Sequence, residues 1–193
     1  MKITLLKSWQ VGVGLIEVMI ALMIFSMGML GIASLQVVSK RSSFEAQQRQ
    51  EAVWIANDMI ARIKNSGLTS SQLKVYYDGK DFAADPTTPP ASPSADCLTS
   101  SCTITQLVEY DLISWHRNIY GASVAGGGQN VSGLSNANGC IDVAESGGKT
   151  TKVTVTVAWL SLTKMSGTKT RVCPISNGGQ SQREVSFNTF ILN

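Results

Sequence analysis

The chain of 193 residues has a single histidine, His116, and none of the paired Cys-x2-Cys spacings of a structural zinc site. That excludes the usual zinc ligand sets and leaves little for nucleophilic or hydrolytic chemistry. Charge is also scarce: charged residues make up 15% and the formal net charge is +3. The basic residues beyond the N-terminus are scattered among acids, so there is no nucleic-acid footprint. Cysteine is absent before Cys97, which excludes a lipid anchor on an N-terminal cysteine. Proline is confined too, with four of the five prolines between Ala83 and Asp96 in an exposed, partly extended loop.

What the chain does have is an apolar run from Gly12 to Val38, interrupted by one carboxylate, Glu17. As a helix at about 1.5 Å per residue, residues 13–38 exceed a bilayer core of roughly 30 Å and can span it with tilt. The run is too long for the apolar core of a cleaved secretory signal. Glu17 is the anomaly, because a charge inside hydrocarbon costs about 2.5 to 3.5 kcal/mol by insertion scales. Lys2 and Lys7 on one side nearly balance Lys40 and Arg41 on the other, so flanking charge does not orient the span. The four cysteines do, since an even number in the last hundred residues suits disulfides in an oxidising compartment and puts the C-terminal part there. The short spacing of Cys97 and Cys102 predicts that they pair, leaving Cys140 with Cys173.

Helix-favouring residues continue past Lys40. Ala52, Ala56, Met59 or Ile60, and Ile63 recur at helical steps and predict one helix from Val13 to Asn65, stopped by Asn65-Ser66-Gly67. Thr103 and Gln106 have capping-box spacing, and Val108, Leu112, Trp115 and Ile119 predict a second helix over 105–120. Three strands follow, over 140–144, 151–160 and 183–192. The middle one should set Val153, Val155, Val157 and Trp159 on one face and Lys152, Thr154, Thr156 and Ala158 on the other. The fold class is therefore α+β, a long helix packed on an antiparallel sheet. The Gly-Lys-Thr at 148–150 lacks both the first glycine and the following helix of a phosphate-binding loop, so it reads as a hairpin turn. Asp78, Asp81 and Asp85 lack the glycine and terminal glutamate of a calcium loop and read as solvated loop acids. The sequon at Asn130 reads as chance. No metal, no cofactor and no enzyme activity are expected.

The residues Gly12-Val13 and the run Leu15-Ile16-Glu17-Val18 resemble the N-terminus of type IV prepilins, and the chain as a whole resembles a type IVa minor pilin of the PilV type. Asp111-Leu112 with Trp115 matches a D-L-x-x-W pattern of the same family. The register closes on glycine: counting back from Glu17 as the fifth mature residue makes Val13 the first and Gly12 the last of the leader. Val13 replaces the commoner Phe and Gly14 the commoner Ser or Thr. The resemblance implies a leader over 1–12, a membrane-spanning half-helix over 13–38, an amphipathic half over 39–66 and a periplasmic pilin domain over 67–193. It further implies cleavage between Gly12 and Val13 by a prepilin peptidase, N-methylation of Val13, and Glu17 as an assembly carboxylate. The implied partners are other minor pilins and the major pilin, a large tip adhesin and the assembly platform in the inner membrane. The role implied is pilus priming, twitching motility and adhesion. A minor pseudopilin of type II secretion would carry the same N-terminus. A periplasmic binding domain on an uncleaved signal anchor is the alternative of a different class.

Overall fold

The computed structural model describes residue 12 and residues 14–83, 90–121, 125–126, 129–130, 134–146, 150–164, 172–175 and 181–192. The chain divides into two compact units, Met1–Ser43 and Phe44–Asn193. Within the first, helix α1 (Leu15–Asn65) begins two residues after Val13, which lies outside the described residues. Every side chain from Leu15 to Val38 is exposed.

In the second unit α1 turns amphipathic. Ala52, Ile55, Ala56, Met59, Ile60 and Ile63 are buried, and the helix ends where Gly67 takes φ +66° and the Ser66 hydroxyl donates to the Ile63 carbonyl at 2.7 Å. Left-handed φ favours glycine, which lacks the Cβ that would clash. The chain continues as α2 (Ser70–Tyr77), β1 (Lys80–Ala83), α3 (Ile104–Tyr120), two-residue strands β2 (Ala125–Gly126) and β3 (Gln129–Asn130), then β4 (Asn138–Ser146), β5 (Thr150–Leu160) and β6 (Gln182–Leu192). The four longer strands form one antiparallel sheet in the order β1-β4-β5-β6. Ser146 of β4 pairs with Thr150 of β5, while Gly148 and Lys149, read from the sequence as a hairpin turn, lie outside the described residues.

Register explains the core. Phe82, Gly139, Val157 and Val185 lie side by side across the four strands, and Ile141, Val155 and Phe187 form the next row. These residues join α1 and α3 in a single apolar cluster. Glycine is required at 139 by proximity: a Cβ there would lie 2.4 Å from Ile119 Cδ1 and 2.6 Å from Trp115 on α3. On the opposite face of β5, Thr156 and Ala158 are fully buried too: Ala158 packs under a strap of residues 172–175 that the Cys140–Cys173 bond holds there, and Thr156 shares a hydrogen bond with Ser186 at 2.8 Å. Gln182 holds that strap, its amide donating to the Cys173 carbonyl at 2.7 Å and accepting from the Ile175 N–H at 3.2 Å.

Helix α2 and strand β1 were not anticipated, although Thr69 and Gln72 repeat the capping-box spacing, with Gln72 Oε1 accepting from the Thr69 N–H at 3.0 Å. Asp78 is an exposed turn acid, as expected, and it also accepts from the Val143 N–H at 2.9 Å and from Lys74 at 2.8 Å, which ties α2 to β4. Asp85 lies outside the described residues.

Replacing Gly139 by Ala should cost about 1 to 3 kcal/mol through overpacking against Trp115 and Ile119, read as a lower denaturant midpoint. An unchanged midpoint would contradict the close approach of α3 to β4. The Lys74 hydrogen bond, and then the Val143 N–H, hold the Asp78 carboxyl below its usual range. Hydrogen bonds from Thr163 and Ser161 likewise lower that of Glu45. A depressed folded-state pKa gives stability that is complete above the unfolded value and lost as pH falls through the folded one. Stability should therefore fall below about pH 4, and Asp78→Asn should flatten part of that fall while leaving the Glu45 share. A variant profile parallel to that of the parent would refute the assignment.

Candidate functional site

Two stretches carry the residues singled out from the sequence, and each is built by its own segment of α1. In the first unit, Gly12 and Gly14 precede the helix, and the Gly14 carbonyl accepts from the Glu17 N–H at 3.0 Å. Glu17 thus sits in the first turn of α1, where the unpaired N–H groups and the helix dipole favour a carboxylate. Glu17, Val18, Ala21, Leu22 and Phe25 lie along one exposed face of the helix. Leu15 is 80% exposed and Ile16 71%.

Glu17 is the one charged side chain between Gly14 and Val38. The other polar groups in this stretch are largely self-satisfied: Ser26 Oγ donates to the Leu22 carbonyl at 2.7 Å and Ser34 Oγ to the Gly31 carbonyl at 2.8 Å. Such bonds let hydroxyls enter an apolar medium without an unmet donor. The N-terminal stretch of α1 is long and apolar enough to cross a membrane, and none of it is buried among the described residues. An apolar helix that finds no cover within its own chain is suited to cover from outside, by lipid or by other subunits. Gly28 and Gly31 leave the helix unbroken, and a Cβ at either would meet nothing within 4 Å. Neither glycine is needed for packing inside the chain.

The second stretch is a clamp between α1 and α3, and it gives the D-L-x-x-W residues a physical meaning. Arg62 of α1 donates from Nε to Asp58 at 2.9 Å and from a terminal nitrogen to Asp111 of α3 at 2.7 Å. Four residues along α3, one turn on, the buried Trp115 donates its indole N–H to the Ile55 carbonyl at 2.9 Å. Phe82 meets Trp115 edge-on with ring centroids 5.7 Å apart. The Tyr77 hydroxyl is buried nearby, and burial, then the charge of Asp111, push its pKa up. His116 lies 3.2 Å from the Ala83 carbonyl and beside the Phe82 ring, and burial lowers its pKa. Among the described residues, no three His, Cys, Asp or Glu side chains converge as metal ligands would.

The structure joins Cys97 to Cys102 and Cys140 to Cys173. Arg62 was not singled out in the sequence, and its pairing with Asp111 spans 49 positions, beyond any local signal. Asp111→Asn should cost about 1 to 3 kcal/mol, because it weakens a charge-assisted bond to a half-buried guanidinium. A double-mutant cycle with Arg62→Lys checks it, and a coupling indistinguishable from zero would sink the clamp.

Residues 34–113 match a family model described as Tt1218-like, Type IV pilin Tt1218. The match begins within α1 and ends in α3, so it takes in Arg62 and Asp111. No curated protein and no solved structure matches the chain. With its long helix packed on a four-stranded antiparallel sheet, the chain has an α+β fold of the type IV pilin kind, and it is similar to a type IV pilin over that stretch.

Proposed function

We propose that this protein is a minor pilin, a structural subunit made as a prepilin, held in the inner membrane and then built into a type IV pilus. The observation that carries the reading is Glu17: one carboxylate in the first turn of a helix whose side chains from Leu15 to Val38 are all exposed. The pilin match over residues 34–113 supports it. On this reading residues 1–12 are a cytoplasmic leader, residues 13–38 span the membrane, and residues 39–66 continue the helix into a periplasmic domain over 67–193.

Prepilin peptidase cuts between Gly12 and Val13, with Leu15, Ile16 and Val18 forming the recognised run, and methylates the new amine of Val13. That amine is then a cation at the membrane boundary. Glu17 attracts the corresponding amine of a neighbouring pilin, since each charge alone is costly in hydrocarbon and the pair less so. The subunit acts with other minor pilins, the major pilin, a tip adhesin and the inner-membrane assembly platform to prime the pilus, and so supports twitching motility and adhesion.

The intact mass of the chain extracted from membranes tests the processing step. A mature chain starting at methylated Val13 is expected, and one starting at Met1 would favour an uncleaved anchor instead. Glu17→Ala should lower incorporation into filaments at least tenfold, about 1.4 kcal/mol or more of lost pairing, without changing how much protein is in the membrane. Normal incorporation would remove Glu17 from its role. Deletion should abolish twitching and leave exoprotein secretion intact, whereas the reverse would assign the protein to type II secretion.

A further inference from the structure

The two disulfides sit in opposite surroundings. Cys140 and Cys173 are buried, at 8% and 0% exposure, and the ring they close contains all of β5. Cys97 and Cys102 are each partly exposed and join the ends of a turn whose intervening residues, Leu98, Thr99, Ser100 and Ser101, are all exposed. An external thiol must reach a sulfur to open the bond between a pair. Only Cys97–Cys102 offers that access in the folded chain.

The turn is also held by more than sulfur. The Asp96 carboxylate accepts from the Leu98 N–H and from the Thr99 hydroxyl, each at 3.0 Å, and its carbonyl accepts from the Ser100 N–H at 3.1 Å and the Ser100 hydroxyl at 2.7 Å. Before the turn, the N–H and hydroxyl of Ser94 both donate to the Glu109 carboxylate on α3. After it, Thr103 and Gln106 form the capping box that starts α3. Opening the bond therefore leaves the two thiols tethered near each other. The ring is short as well, and a short ring removes less chain entropy than the one around β5.

The two sulfurs are not equivalent. Cys102 immediately precedes Thr103, the N-cap of α3, where the free N–H groups and the helix dipole favour a thiolate. A thiol of lower pKa leaves a disulfide faster. Cys97, at the far end of the turn, is then the sulfur attacked.

We infer that Cys97–Cys102 is a reversible redox couple, opened by an external dithiol while the rest of the domain stays folded. One thiolate of the dithiol bonds to Cys97 Sγ as the S–S bond breaks, and Cys102 departs with the electron pair. The second thiolate then displaces Cys97 from the mixed disulfide. The dithiol ends oxidised to a disulfide, and its two protons end on Cys97 and Cys102. With the bond open, the chain entering α3 is held by hydrogen bonds alone, so the couple acts as a clasp on that segment. Neither a membrane nor a pilus enters this inference.

The test treats the full, folded chain with dithiothreitol, blocks free thiols with iodoacetamide at intervals, and maps the blocked cysteines by peptide mass. Cys97 and Cys102 should become blocked together, at least about tenfold faster than Cys140 and Cys173. Hydrogen exchange should quicken over residues 90–101 and stay unchanged in β4 and β5, and oxidised glutathione should close the same pair again. In the opened chain Cys102 should react with iodoacetamide at a lower pH than Cys97. Equal rates for the two pairs, earlier opening of Cys140–Cys173, or loss of protection across the sheet when Cys97–Cys102 opens would overturn the inference. So would a bond that resists dithiothreitol until denaturant is added, or a Cys97 thiol more acidic than that of Cys102.

Discussion

The hydrogen bond from the Trp115 indole to the Ile55 carbonyl, 2.9 Å long and fully buried, fixes where α3 lies on α1. A helix carbonyl already accepts one backbone bond, and the second lone pair is what Trp115 uses. Burying so large a ring brings a payload whose removal typically costs about 3 to 5 kcal/mol, but it also imposes a site that other residues must fit. Phe82 on β1 packs its edge on the indole, and β4 must pass so closely that position 139 has no room for a side chain. The Arg62–Asp111 pair, four residues back along α3, fixes the rotation of the same helix about its axis. From these few contacts follow the placement of β1 and β4, and the register of the sheet then places β5 and β6.

Much of this was legible because it is periodic. The α1 stripe at Ala52, Ala56, Met59 and Ile63, the capping box of α3 at Thr103 and Gln106, and the alternation through Val153, Val155 and Val157 all repeat at the spacing of their element. The parts that escaped are set by partners distant in sequence. The cover over Ala158 comes from Cys173, and the backbone N–H that Asp78 accepts comes from Val143 of β4, neither of which a local pattern marks. Helix α2 has eight residues, too few for a pattern to stand out, and its capping residues Thr69 and Gln72 were the one local sign. At the N-terminus the role proposed for Glu17 rests on the sequence, on its spacing from Gly12 and its isolation among apolar residues.

Helix α1 therefore joins an exposed apolar stretch and a packed amphipathic one on one backbone. Where its side chains are uncovered, the hydroxyls of Ser26 and Ser34 turn back to their own helix, and one carboxylate is left unmatched near the start. Where the folded unit begins, Glu45 instead reaches Ser161 and Thr163 beyond the end of β5, and the apolar stripe takes over. The same helix geometry serves both because only the side chains change.

The Cys140–Cys173 bond closes a ring with a sequence separation of 33 that contains all of β5. Loop-closure entropy from such a ring contributes about 3 to 4 kcal/mol at rest, yet its larger consequence is mechanical. If tension is applied between α1 and β6, the enclosed residues cannot be drawn out, because the force passes through the sulfur bridge instead of along β5. At about 3.3 to 3.6 Å per extended residue the bridge withholds roughly 110 Å of slack. Loaded end to end, the chain would yield at its unbridged segments first and keep the central strand in place.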